Sequence, residues 1–227
     1  MSAANTLLEE LVLIADSSTK SSGSSAWQYI LSFCNSIVNN LNVGPNSFRI
    51  AMIRYADSAQ VLVSLGQCSS ANCVTSAVSG IDYTGGDSNL AAALDLALSQ
   101  VFSQARPAVP RVILFVTDYV PGSTSNGGLL QSMNNVQSSG VRMYGVGIQA
   151  KNSIDADTFY RLSFNNGQYS AIFVGDYNQL SNYVSQAVAN IGAAAGGTTT
   201  STSTTTATTI PTTTRPTSTL ASAYLNP

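Results

Sequence analysis

The sequence predicts an α/β domain of three layers. A mostly parallel central sheet carries one antiparallel edge strand, with helices on both faces. Three observations lead there. Short continuous apolar runs alternate with segments of helical periodicity, the pattern of strands buried on both faces by crossover helices. One pair of strands is joined by a turn too short for a crossover, which makes a hairpin. The alternation stops near Gly192, where the composition changes abruptly.

The elements follow in order. Leu11–Ala15 is an apolar run of strand length. A helix fits 25–41, where Trp27, Ile30, Leu31, Cys34, Ile37, Val38 and Leu41 recur at intervals of three and four. Gly44-Pro45-Asn46 is a turn. Strands over Phe48–Tyr55 and Gln60–Leu65 flank Ala56-Asp57-Ser58-Ala59, the expected hairpin connection. A short helix is expected over 71–80, and a longer one over Ala91–Phe102 with Leu90, Ala93, Leu94, Ala97, Leu98 and Val101 on one face. Strand Val112–Thr117, helix 127–138, strand Val141–Ile148, helix 155–163, strand Ala171–Val174 and helix 178–191 complete the domain. The expected organisation is a lead-in over 1–8, a domain over 9–191 and a tail over 192–227.

Composition excludes several function classes. Of 227 residues, 44% are hydrophobic and 9% are charged, with a net charge of −2. The core is ample, and no Lys/Arg cluster supplies the footprint of nucleic-acid binding. No apolar run approaches the roughly 20 residues of a membrane helix. The chain has no histidine, which removes the commonest general base and most zinc sites. No Gly-x-Gly-x-x-Gly follows the first strand and no Gly-x₄-Gly-Lys-Ser/Thr occurs. The expectation is a protein that is not an enzyme.

Three cysteines are present. Cys68 and Cys73 flank a short loop and are candidates for a local disulfide; a bridge from Cys34 to either, or three free thiols, are the alternatives. The tail is Ala/Gly over 192–197, then nearly all Thr and Ser to 219, with Pro211, Arg215 and Pro216. Such sequence cannot build a core and reads as an O-glycosylated, mucin-like stalk, or else as a plain disordered linker. The start lacks a basic, then apolar, secretory signal, in keeping with a fragment of a longer chain.

In a sheet of this kind, ligands bind beyond the carboxyl ends of the strands where strand order reverses. The loops of interest are therefore Asp16-Ser17-Ser18-Thr19-Lys20, Gly85-Gly86-Asp87-Ser88-Asn89 and Thr117-Asp118-Tyr119. Their carboxylates and hydroxyls are hard oxygen ligands, suited to Mg²⁺, Ca²⁺ or Mn²⁺.

Asp-x-Ser after a buried first strand, Gly-Gly-x-Ser-Asn before an Ala/Leu helix, and Val-Thr-Asp closing a later strand together resemble a von Willebrand factor type A domain. Val43-Gly44-Pro45, Arg49–Tyr55 and Val141–Ile148 extend the resemblance over about 9–191. It implies a Rossmann-like fold and a metal-ion-dependent adhesion site built from Asp-x-Ser-x-Ser, a Thr and an Asp. Asp16, Ser18 and Asp118 match that pattern, and Ser88 stands where Thr is usual. Lys20 occupies the final Ser position and Tyr119 replaces a small residue.

An ammonium group donates and cannot ligate a cation. Within about 4 Å, at an effective dielectric near 20, a unit charge pair is worth roughly 4 kcal/mol, and a divalent ion feels about twice that. The expected metal is therefore weak or absent. Ser17, Thr19, Asp87 and Tyr119 are expected on the recognition edge. The implied function is an extracellular adhesion or matrix module, secreted or at the cell surface, that binds a protein partner such as a collagen-like or other matrix component. The alternative is a metal-free structural or self-assembly unit.

Overall fold

A computed structural model describes residues 8–18, 23–122, 127–150, 153–165 and 168–194. Strand β1 (Glu9–Asp16) runs through the middle of a six-stranded sheet, with β2 (Phe48–Tyr55) and β3 (Ala59–Val63) on one side. On the other side lie β4 (Arg111–Thr117), β5 (Arg142–Ile148) and β8 (Ala171–Val174). All neighbours are parallel except β2 and β3, the hairpin partners. Two further strands, β6 (Phe164–Asn165) and β7 (Gln168–Tyr169), form a small antiparallel hairpin outside the sheet.

The apolar runs are continuous because both faces are covered. Successive side chains of a strand point to opposite faces. Leu11, Leu13 and Ala15 enter one core with helices α1 (Ser24–Asn39), α2 (Ala71–Val78) and α6 (Val184–Ala194). Val12 and Ile14 enter the other with α3 (Leu90–Leu96), α4 (Gly127–Ser138) and α5 (Ala156–Leu162). Trp27 lies wholly within the first core, and its indole N–H donates to the Ile81 carbonyl at 2.8 Å. The second core closes tightly at β5: a Cβ added at Gly145 would stand 2.6 Å from the Phe115 ring and 2.7 Å from that of Phe159.

Several expected boundaries shift. The helix foreseen over Ala91–Phe102 is α-helical only to Leu96; a π turn over Ala97–Val101 and a 3-10 turn over Phe102–Gln104 continue it. The expected helix over 178–191 is a 3-10 segment (Tyr177–Tyr183) that passes into α6, and α6 continues to Ala194, beyond the composition break at Gly192. The rest of the tail lies outside the described residues.

The ends of the sheet differ in chemistry. At the amino end of β1, Glu10 is buried against Arg106 (2.5 Å) and Arg49 (3.5 Å). Arg106 also donates to the carbonyls of Pro45 (2.8 Å), Ser47 (2.8 Å) and Glu9 (3.1 Å). Beyond β3 at the same end, Cys68 and Cys73 form a disulfide. Cys34 is a buried free thiol, which burial pushes up to about 12.

Candidate functional site

The chain winds outward from β1 through β2 and β3, then returns to β4 on the other side of β1. The carboxyl ends of β1 and β4 therefore flank the reversal of strand order, where a crevice opens in such sheets. Asp16 is the last residue of β1, and Asp118 immediately follows β4. Both are fully buried.

The first loop turns sharply at Asp16. Its Oδ1 accepts the Ser18 N–H at 2.9 Å, a local side-chain-to-backbone bond that Asp readily makes. Its Oδ2 accepts three hydroxyls: Thr117 at 2.6 Å, Tyr55 at 3.0 Å and Ser88 at 3.2 Å. One carboxylate thus gathers β1, β2, β4 and the loop before α3. Thr117 in turn accepts the Tyr119 N–H at 3.1 Å, so the third loop is tied to Asp16 through a single hydroxyl. Asp118 Oδ2 accepts the hydroxyl of the buried Tyr177, which follows β8.

Ser17, assigned to the recognition edge from the sequence, opens the first loop directly after β1. It is fully buried, because its polar groups serve the neighbouring loop. Its hydroxyl meets the Thr84 N–H (3.0 Å) and hydroxyl (2.9 Å), and its carbonyl accepts the Gly85 N–H at 2.9 Å. Ser18 is also buried. Asp87 is exposed, and Ser88 and Tyr119 are half-buried. Thr19 and Lys20 lie outside the described residues.

The second loop is braced from the β2–β3 turn. Asp57 Oδ1 accepts the Asp87 N–H at 2.7 Å, and the Asp57 carbonyl accepts the Asn89 side chain at 3.3 Å. Gly86 has φ +95°, and a Cβ there would stand 2.2 Å from Asp57 Oδ2. Only glycine fits that contact without displacing the carboxylate. Asn89 then caps α3, accepting the Ala92 N–H at 3.1 Å. Ser88 is held between these two anchors and reaches Asp16.

Sequence reasoning passed over Tyr55, Tyr83, Thr84, Asp57 and Tyr177 as site-builders. A phenol in a strand reads as core, and Asp57-Ser58 reads as an ordinary turn. Only position gave a signal: Tyr55 and Thr117 end strands that neighbour β1. Electrostatics link the loops further. The Tyr83 hydroxyl contacts the Ser18 carbonyl at 3.2 Å. Its acidity is weakened first by burial, then by the negative fields of Asp16 and Asp118. Tyr55 is pushed well above the usual phenol value by burial and by the Asp16 charge.

The donors at this edge are two carboxylates with serine and threonine hydroxyls, all hard oxygens of the kind that Mg²⁺ or Ca²⁺ takes. Among the described residues, no group of three or more His, Cys, Asp or Glu side chains is placed to hold a metal ion. The donor chemistry fits a hard cation, and Asp16, Ser18, Ser88 and Asp118 are the residues that would hold one. Asp16 itself already has its charge met by protein hydroxyls.

The von Willebrand factor type A domain family model matches residues 10–186. The chain belongs to this family. Cuticlin-6 of Caenorhabditis elegans is 28% identical over 139 residues, covering 61% of this chain and 23% of that protein. The human collagen alpha-1(XXI) chain is 26% identical over 117 residues, covering 52% of this chain and 12% of that one. The matched region is thus a small part of either relative. Among solved structures, proximal thread matrix protein 1 from the mussel byssus, with a zinc-occupied metal-ion-dependent adhesion motif, superposes with a TM-score of 0.72 at 18% identity. That match covers 82% of this chain and 46% of the other. As a von Willebrand factor type A domain, the protein has the expected Rossmann-like order, with β3 as its antiparallel edge. Among the described residues, no helix is long and apolar enough to cross a membrane.

Proposed function

We propose that this von Willebrand factor type A domain, residues 9–191, is a non-catalytic protein-binding module of the adhesion or extracellular-matrix kind, and that it depends weakly or not at all on a divalent metal. The recognition edge of this reading is the carboxyl ends of β1 and β4, where Asp87 is exposed and Tyr119 half-buried, with Thr19 assigned to it from the sequence alone. The observation that carries this reading is the convergence on Asp16, where Thr117, Tyr55 and Ser88 all donate to one carboxylate oxygen. The ends of β1, β2 and β4 and the Ser88 loop are thereby tied together before any ligand arrives, which lowers the ordering cost of binding.

The membership of cuticlin-6 and a collagen chain among its relatives supports an extracellular setting and a matrix partner, collagen-like or otherwise. The zinc-occupied motif of the byssus protein supports a possible divalent metal in a domain of this fold. Here Lys20 takes the place of a ligand serine, and its charge opposes a divalent ion by several kcal/mol at close range. Any Mg²⁺, Ca²⁺ or Mn²⁺ would rest on Asp16, Ser18, Ser88 and Asp118, supplying a positive charge to a partner carboxylate. The Thr/Ser-rich tail would space the module as an O-glycosylated stalk.

The test is capture of the chain on immobilised collagen and matrix extract, with and without EDTA. The expected result is binding that EDTA changes by less than about twofold and that Asp87→Ala with Tyr119→Ala reduces. Loss of binding in EDTA contradicts the metal-independent reading. Absence of capture with self-association in sedimentation favours a structural assembly unit instead.

A further inference from the structure

Away from the crevice, α4, α5 and the β6–β7 hairpin form a second surface. Tyr169 is 64% exposed and Tyr160 is 40% exposed, among the few large hydrophobic side chains on the described surface. They are held in place. The two rings meet edge to face at 5.5 Å and 70°, and Tyr160 meets the half-buried Phe173 at 5.4 Å and 71°. Phe173 rests in turn on the fully buried Phe159, 5.0 Å between centroids. The exposed pair is thus the outer end of an aromatic stack rooted in the core. Clustered exposed aromatics of this kind mark interaction sites.

The polar groups around the rings are placed to receive a ligand. A cavity of about 520 Å³ is lined by Asp157, Tyr160, Arg161 and Tyr169. A second, of about 230 Å³, adjoins it through Arg161 and Tyr169 and adds Met133, Asn134 and Gln137. Asp157, Arg161 and Asn134 are exposed. Among the described residues, no ion pair joins Asp157 or Arg161 to another side chain, although they stand four apart on α5.

We infer that this surface is a binding site for neutral carbohydrate. A flat, exposed ring offers a partner for the apolar C–H face of a sugar, and Tyr adds a hydroxyl at the rim. Planar carboxylate, guanidinium and amide groups supply paired acceptors and donors for adjacent sugar hydroxyls. One carboxylate and one guanidinium facing the same rings leave no net charge, which favours a neutral polyol over an anion or a cation. The larger cavity alone is of the size that ligand sites commonly have, roughly 300–1,000 Å³. Because the rings are locked by the stack, little conformational freedom is lost on binding.

A printed array of neutral oligosaccharides, probed with the labelled full chain, tests this. The wild type is expected to be retained on a subset of sugars. Tyr169→Ala and Asp157→Ala should each weaken that retention at least tenfold, with Asp157→Ala leaving the melting temperature unchanged and Tyr169→Ala lowering it by no more than a few degrees through its contact with Tyr160. Tyr29→Ala, at an exposed tyrosine elsewhere (47%), should leave it intact. Retention of no neutral sugar, or equal retention by Tyr169→Ala, overturns the inference. So does capture of a proline-rich peptide with the same tyrosine dependence while no sugar is held.

Discussion

Thr117 donates its hydroxyl to Asp16 Oδ2 at 2.6 Å, joining the ends of β4 and β1 at the point where the sheet reverses its winding. Asp16 is wholly buried, so the bond is made to a charged group out of water. Hydrogen bonds to charged partners contribute about 1.5–3 kcal/mol. Thr117→Val keeps the volume and removes the donor. Urea unfolding should show a loss in that range, and Thr117→Ser should recover most of it. A loss below about 0.5 kcal/mol for the valine variant would remove Thr117 from the account.

Gly86→Ala should destabilise the second loop. It places a side chain at φ +95° and against Asp57 Oδ2. Strain in that backbone region costs of order 1–3 kcal/mol, to which the collision adds. In a double-mutant cycle, Asp57→Ala should relieve the collision and not the backbone strain. Strict additivity of the two substitutions would show that the turn does not brace the loop.

The alternation of strand and helix was legible because β1 and β4 bury both faces, so their apolar runs are continuous. The hairpin was legible from the four residues between Tyr55 and Gln60. The residues that end up at the crevice were found only where a loop carried several polar groups together. Ser17 belongs to such a loop, and its burial follows from bonds to Thr84 and Gly85, 67 and 68 positions away in sequence. Tyr55 and Tyr177 were missed because a tyrosine in an apolar segment gives no hint of what its hydroxyl meets. The π turn after Leu96 likewise leaves the apolar periodicity almost unchanged.

Glu9 should make stability fall as pH rises. It is buried, and neither carboxylate oxygen has a hydrogen-bond partner among the described residues. Burial pushes its pKa up to about 8, partly opposed by Arg142. The folded state therefore holds a proton that the unfolded state has lost. The penalty is absent below the ordinary value near 4.5 and grows until pH passes about 8. At about 1.4 kcal/mol per pK unit, the whole effect is bounded at a few kcal/mol. Melting curves of wild type and Glu9→Gln should diverge over that window, with the glutamine variant the more stable at pH 8. Parallel curves would contradict the assignment.

Arg106→Ala should cost about 3–5 kcal/mol, because it leaves the Glu10 carboxylate buried without its nearest cation. Arg106→Lys should restore little. A lysine cannot reach Glu10 and the carbonyls of Pro45, Ser47 and Glu9 with one rigid fork. Chemical denaturation of the two variants checks this; full rescue by lysine would mean that charge alone matters.

On the proposed function, partner binding at the carboxyl ends of β1 and β4 needs weak or no help from a metal. Calorimetric titration with Mg²⁺ tests it most directly, on the wild type and on Lys20→Ser. The wild type should give little or no heat of binding. Lys20→Ser should bind at least tenfold more tightly, since it removes an opposing charge and restores an oxygen ligand. Tight Mg²⁺ binding by the wild type, unchanged by the substitution, would contradict the account.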